Sequence, residues 1–386
     1  MGKREEYDAI VVGSGMSGGW AAKEITERGL RTIVLEAGGL VTPDDYVMDV
    51  YPWDLKYRGR RERAVQSLQR PIQSTCYACD AWSEKFFVRD DENPYTTADG
   101  TDFSWIRGRQ VGGRSIMWGR HVYRWSDLDF EASLKDGHGV DWPIRYADIE
   151  PWYDHVERFI GVTGQAEGLA QLPDMQFLPP MTLNCQEQVA RDRLTQAYGG
   201  ERLITIGRCA VLTQPHNGRA ACHYCGTCER GCSTHSYFSS LAATLPAVVD
   251  KWGIPALRIH CEWSDNERKM LQEMSVQAAE MLDAVGARDV VSFVEDNPPG
   301  LTIHEMGTAR MASDSETSVL NGWNQAWDVP NLFMTDGACM ASSANQNPSI
   351  TYMALTARAV NHAVDLMDRG ELQRGQNRTW RVSALG

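Results

Sequence analysis

Four of the ten cysteines crowd into one short stretch, Cys222-His223-Tyr224-Cys225-Gly226-Thr227-Cys228-Glu229-Arg230-Gly231-Cys232. The spacing C-x2-C-x2-C-x3-C is that of the bacterial ferredoxin run, with Ser233 in place of the usual proline. Thiolates this dense, interleaved with glycine, can hold several irons, because short loops turn successive sulfurs inward. Zinc and the absence of any metal are the competing readings. Structural zinc sites usually pair two distant C-x2-C elements, and disulfides are awkward at this spacing and suit small secreted domains. Cys76 and Cys79 form another C-x2-C, but with no partner pair they read as ordinary thiols.

The second chemistry is phosphate binding. Tyr7 to Val12 is a short β-rich run that ends at Gly13-Ser14-Gly15-Met16-Ser17-Gly18. Trp20 to Arg28 then reads as a helix stopped at Gly29, and Arg31 to Leu35 as a second strand with Glu36 at its end. In such a βαβ unit Gly13 permits the tight turn, Gly15 lets backbone approach a pyrophosphate, and Gly18 lets helix and strand pack closely. The helix N-terminus offers free N–H groups and a positive dipole end. Glu36 can accept hydrogen bonds from an adenosine ribose, which favours FAD or NAD over NADP.

Three further stretches narrow the choice. Arg107-Gly108-Arg109-Gln110-Val111-Gly112-Gly113-Arg114-Ser115-Ile116-Met117-Trp118-Gly119 is a glycine-rich loop flanked by cations. His304-Glu305-Met306-Gly307 carries a histidine just before a glycine turn. Asn331 to Gly337 reads as a strand closing on Asp336 and Gly337, followed by Asn345-Gln346-Asn347-Pro348 and a long helical pattern through Asp365.

Together these motifs resemble the glucose–methanol–choline (GMC) oxidoreductases, flavoenzymes that oxidise alcohols with FAD. The cysteine motif and Asp141-Trp142-Pro143-Ile144 look closest to the catalytic subunits of bacterial gluconate, fructose, sorbitol and glucoside dehydrogenases. The resemblance implies that Gly13, Ser14, Gly15, Ser17, Gly18 and Glu36 hold the ADP moiety of FAD. It places Arg109, Gly112, Gly113 and Ser115 along the pyrophosphate and isoalloxazine, and Asp336 and Gly337 at the ribityl–pyrophosphate region. It implies a catalytic pair, His304 as base and Asn347 as hydrogen-bonding partner of the substrate oxygen. Taken alone, His304 also reads as a core or capping histidine. Relatives with a covalent histidyl flavin carry histidine before the tryptophan of the second glycine loop. Met117 stands there in this chain, so non-covalent FAD is expected.

The same resemblance implies a 3Fe–4S cluster on Cys222, Cys228 and Cys232. Cys225 is extra, which leaves a 4Fe–4S cluster open. Electrons would pass from flavin through the cluster to an external acceptor, making a dehydrogenase rather than an oxidase. A small subunit and a cytochrome or other acceptor are the implied partners. Location is open between the periplasm, by co-export with a partner, and the cytoplasm. A peroxide-forming flavin oxidase, a non-catalytic flavin and cluster electron-transfer subunit, and an inactive deleted remnant are the other readings.

Composition sets the frame. The chain has 386 residues, 38 Lys+Arg against 51 Asp+Glu and a net charge of −13, which argues against nucleic-acid binding. No apolar run approaches the ~20 residues needed to cross a bilayer. Position six, Glu6, breaks the myristoylation pattern, and the first apolar run is too short for a signal-peptide core. These features suggest an acidic soluble protein without its own export signal. The expected fold is α/β, a Rossmann-type FAD domain built from residues 1–125 and 330–386. Residues 126–329 would form a reduced α+β substrate or cap region.

Within that region, helices are expected around Tyr146–Phe159, Ser239–Val249 and Glu267–Val285. The last carries Met270, Met274, Ala278 and Met281 at helical spacing, a stripe that reads as core. A β-run is expected from Lys251 through His260, and a fraying tail from Glu371. Trp105, Trp118, Trp125 and Trp142 suit sugar stacking or an ordinary core. Measured against the family, a central block with further strands is missing near 246–252, so sheet edges are expected to be exposed.

Overall fold

The computed structural model describes residues 7–245, 258–259 and 263–372, apart from 47, 49, 52, 55–62, 296 and 302. The expected break near 246–252, the run over 251–257 and the end of the tail therefore lie outside the described residues. In chain order the strands are β1 (Ala9–Val12), β2 (Thr32–Leu35), β3 (Thr96–Thr97), β4 (Val162–Thr163), β5 (Phe177–Leu178) and β6 (Arg258–Ile259). The helices are α1 (Met16–Glu27), α2 (Arg63–Gln69), α3 (Asp127–Phe130), α4 (Ala132–Asp136), α5 (Tyr146–Ile160), α6 (Cys185–Ala197), α7 (Ser240–Ala243), α8 (Asp265–Ala284) and α9 (Ser349–Asp368).

The N-terminal βαβ unit forms as the sequence suggests. β1 and β2 pair in parallel, with Ala9 opposite Thr32 and Val12 opposite Leu35. Gly29 takes φ +79° just beyond α1, the left-handed conformation that lets the chain turn into β2. Among the described residues β1 and β2 pair only with each other. Ile10 and Val12 are 67% and 81% exposed, so one apolar face of this ribbon is uncovered.

The core lies instead between helices. α9, from the far end of the chain, packs on both α1 and α5. Its Ile350, Met353, Ala354, Leu355 and Ala357 join Trp20, Trp125, Trp142, Ile149, Tyr153 and Val156 in one cluster. Apolar side chains around most of its circumference suit α9 to a central position. Trp125 and Trp142 are fully buried there, which removes them from any sugar-stacking role.

Polar groups lock the same junction. Arg28 donates to Asn361 at 3.0 Å and to Asp365 at 2.8 Å, tying the end of α1 to α9. Arg124 is buried against Glu157, with N···O distances of 2.8 and 2.6 Å to its two oxygens, and Gln176 donates its N–H to the same carboxylate. Glu24 accepts from His155 at 2.7 Å and from Asn361 at 3.0 Å, and pairs with Lys23 at 3.1 Å. Burial works to raise the Glu24 carboxyl, but these partners outweigh it and bring it down to about 2. A carboxylate held below its ordinary value stabilises the fold above that value, and the contribution disappears as pH falls toward 2. Urea midpoints should therefore drop between about pH 4.5 and 2, less steeply in Glu24→Gln. Parallel slopes in the two proteins would show that Glu24 does not carry this term.

Three expected elements come out differently, the first being the helix expected over Ser239–Val249, which is the single turn α7 ending at Ala243. Asn331 to Gly337 is not a strand of a sheet: Phe333 makes only an isolated bridge with Gln325, and Met334 donates to Asn324 at 3.0 Å. A neighbouring loop takes the backbone bonds that a sheet would have used. α8 forms where expected and begins with a capping box at Ser264 and Glu267. Its Met270 and Met274 are 54% and 59% exposed, so the stripe is not core. Periodicity marked the face correctly, but no described element covers it.

Candidate functional site

Three glycine-bearing segments, 13–18, 112–115 and 335–337, meet at the N-terminus of α1. Gly13 sits at φ +86° and donates to Leu35 O at 2.7 Å, closing the turn between β1 and α1. A Cβ on Gly18 would lie 2.0 Å from Gly13 O, so only glycine lets the helix approach this closely. Gly15 is the N-cap of α1, and the positions of Cβ atoms on Gly13 and Gly15 face open space. The result is a cradle walled by bare backbone, with the first-turn N–H groups of α1 directed toward it.

The glycine-rich loop closes the other side. Gly112 and Gly113 take φ +86° and +52°, and a Cβ on Gly113 would come 3.2 Å from Gly15 Cα. Gly112 donates its N–H to Ser14 Oγ at 3.0 Å. Ser14 donates its own N–H to Glu36 at 2.9 Å, and its hydroxyl donates to the same carboxylate. Gly38 donates to the other Glu36 oxygen at 2.9 Å. Glu36 is thus fixed beside the cradle as an acceptor. Ser115 donates its hydroxyl to Gly112 O and accepts from Ser240 N at 2.9 Å, while Ser240 donates to Gly15 O at 2.9 Å. Arg109 is turned to Asn93 at 2.6 Å.

The late segment joins them. Ser17 donates to Thr335 O at 3.1 Å, which brings Asp336 and Gly337 to the start of α1. Asp336 is exposed and accepts the N–H of Ala338 at 3.1 Å. A Cβ on Gly337 would sit 2.3 Å from Glu305 O. The histidine turn runs alongside, with Gly307, Ala309 and Met311 donating to Gly337 O, Ala338 O and Cys339 O at 3.1, 2.9 and 2.8 Å. His304 is thereby held one short ladder away from the acid–glycine turn. Burial first, and then the nearby Arg114 guanidinium, lowers the His304 pKa, with Glu305 opposing. A neutral imidazole is the form that accepts a proton. Asn347 is half-buried immediately before Pro348, the N-cap of α9.

Ser240, Gly38 and Arg114 belong to this arrangement although no role is legible for them in the sequence. For Gly38 a signal exists, the glycine pair just after Glu36. Ser240 carries none, because a serine in the first turn of a short helix, just after the Ser239 cap, has no signal of its own.

The cysteine loop differs from expectation. Among the described residues no group of three or more His, Cys, Asp or Glu side chains stands close enough to hold a metal ion. Cys222, Cys225, Cys228 and Cys232 are free thiols. Their sulfurs meet separate local donors, Cys222 the N–H of Tyr224 at 3.3 Å and Cys225 the hydroxyl of Thr227 at 3.4 Å. Cys232 contacts the Thr234 hydroxyl at 3.4 Å. Burial pushes the Cys228 thiol up. As arranged, the loop does not fit an iron–sulfur cluster. The glycine cradle, by contrast, fits a dinucleotide.

Residues 244–356 match the family model of the GMC oxidoreductases, and the chain is a relative of that family. It is 39% identical over 117 residues to a 2-methyl-1,2-propanediol dehydrogenase of Mycolicibacterium austroafricanum, covering 30% of this chain and 20% of that protein. It is 27% identical over 270 residues to paromamine 6'-oxidase of Streptomyces fradiae, covering 67% and 42%. A fructose dehydrogenase large subunit of Gluconobacter japonicus is 24% identical over 62% of this chain and 43% of its own length. The chain thus spans about two fifths or less of these relatives. Pyridoxine 4-oxidase from Mesorbium loti shares the fold, with TM-score 0.52 and 13% identity over 93% of this chain and 99% of that one. No helix among the described residues is long and apolar enough to cross a membrane.

Proposed function

We propose that the protein is an FAD-dependent oxidoreductase acting on a CH–OH group of a sugar or polyol, with FAD held non-covalently. The observation that carries this reading is the convergence of three sequence-distant glycine segments and the His304 turn on one helix N-terminus. Gly13, Gly15, Gly112 and Gly113 would hold the pyrophosphate, Glu36 the ribose, and Ser17, Ser115, Asp336 and Gly337 the span between. Residues 1–125 and 330–386 would form the FAD-binding part, and 126–329 the substrate side. Bound FAD supplies a hydride acceptor. The chain's own work is to position the alcohol, take its hydroxyl proton at His304, and stabilise developing alkoxide charge at Asn347.

Dehydrogenase chemistry, with a small subunit and a cytochrome or other carrier as partner, is supported by the relatives named gluconate and fructose dehydrogenase. Oxidase chemistry is the second reading, supported by the relative named paromamine 6'-oxidase. An anaerobic visible spectrum of the purified protein, before and after a panel of sugars and polyols, tests the proposal. Flavin absorbance should bleach with at least one of them, and flavin that bleaches with none overturns the reading. Iron content and peroxide release on readmitting air then separate the two acceptors.

A further inference from the structure

The residue just before His304 is strained. Ile303 adopts φ +61°, a left-handed conformation that a β-branched residue rarely takes. Such a conformation persists only where the surroundings over-determine it, and it is found disproportionately at working sites. Ile303 donates its N–H to Gly300 O at 3.1 Å. Gly300, at φ +97°, is pressed against the 103–104 segment, where a Cβ would lie 2.7 Å from Ser104 O. On the other side one side chain reaches the turn as well. Arg114 donates through Nη1 to Ile303 O at 3.4 Å and to Ile106 O at 3.2 Å, and through Nη2 to Glu305 Oε2 at 3.1 Å.

Arg114 therefore grips the residues on both sides of His304 while standing inside the glycine loop, between Gly113 and Ser115. We propose that Arg114 is a positioning residue that fixes the His304 imidazole relative to the dinucleotide cradle. The inference rests on the reading of His304 as the base. The guanidinium fork spans a backbone carbonyl and a carboxylate at once, which the single ammonium of lysine cannot reproduce. Arg114 and Glu305 are the charges that act on His304, with opposite signs. Tyr352, pushed up first by burial, feels the same ion pair, and Cys339 and Asp336 act on Tyr352 in turn.

The test is a titration of His304 in the flavin-free protein by NMR with isotope-labelled histidine, the resonance being identified by its loss in His304→Gln. Arg114→Gln should move the His304 midpoint up, and Glu305→Gln should move it down. In the FAD-loaded protein Arg114→Lys should slow flavin reduction by about 10–100-fold with little change in KM, the size expected of a misplaced catalytic group. A His304 midpoint that stays put in Arg114→Gln overturns the proposal. Should that variant not fold, a midpoint that fails to fall in Glu305→Gln does the same. If the midpoints move as expected while no alcohol reduces the wild-type flavin, the hold of Arg114 on His304 stands and the proposed reaction fails.

Discussion

Replacing His304 by alanine should slow flavin reduction by about 10²–10⁴-fold, the range for loss of a general base, while FAD remains bound. The separation is expected because His304 belongs to a turn that only abuts the cradle. Its backbone position is set by the Gly307–Met311 ladder onto Gly337–Cys339, and those bonds do not involve its side chain. Removal of the imidazole thus takes away the proton acceptor without loosening Gly13, Gly15 or Gly112. The pH profile should change as well. In the wild type the rate of reduction should fall on the acid side as the imidazole is protonated, at a pH below the ordinary histidine value because burial and Arg114 disfavour the charged ring. That limb should vanish in His304→Ala. Rapid-mixing measurements at saturating substrate check both points, and an unchanged rate would remove His304 from the mechanism.

The second large effect is a contrast between two glycines three residues apart. Gly15→Ala should leave the flavin-free protein close to wild-type stability, within about 1 kcal/mol, since φ is −65° there and the added methyl meets open space. It should nevertheless abolish or severely weaken FAD binding, because that methyl projects into the cradle proposed for the pyrophosphate. Gly18→Ala should damage both. Its Cβ would fall 2.0 Å from Gly13 O, so the turn must open, at a cost of about 1–3 kcal/mol. Thermal melting of the apoproteins with FAD titrations separates the outcomes. Normal FAD affinity in Gly15→Ala would mean that the dinucleotide lies elsewhere.

Local chemistry made part of this molecule legible before any coordinates. The βαβ unit could be read because its signals are short-range: a β-rich run, glycines at fixed offsets and a left-handed stop at Gly29. α5, α8 and α9 were legible because caps and 3.6-residue periodicity act within one segment. The motifs of the candidate site were legible as separate strings, since glycine is demanded wherever backbone meets backbone, as at Gly18 and Gly337.

What lies between the strings was not legible. That Met270 and Met274 face outward depends on which element arrives to cover them, and a period cannot say. That the cysteines form no metal-holding group among the described residues is set by the path of the folded loop, which spacing alone does not give. The sequence by itself determined the glycine turns and the helices α1, α5, α8 and α9, because each follows from neighbours a few residues away. Only the tertiary structure decided that Ser240 joins the two glycine loops and that Arg114 reaches across 189 residues to Ile303. Contacts between distant segments follow from packing the whole chain, and no local pattern encodes which side chain closes the gap.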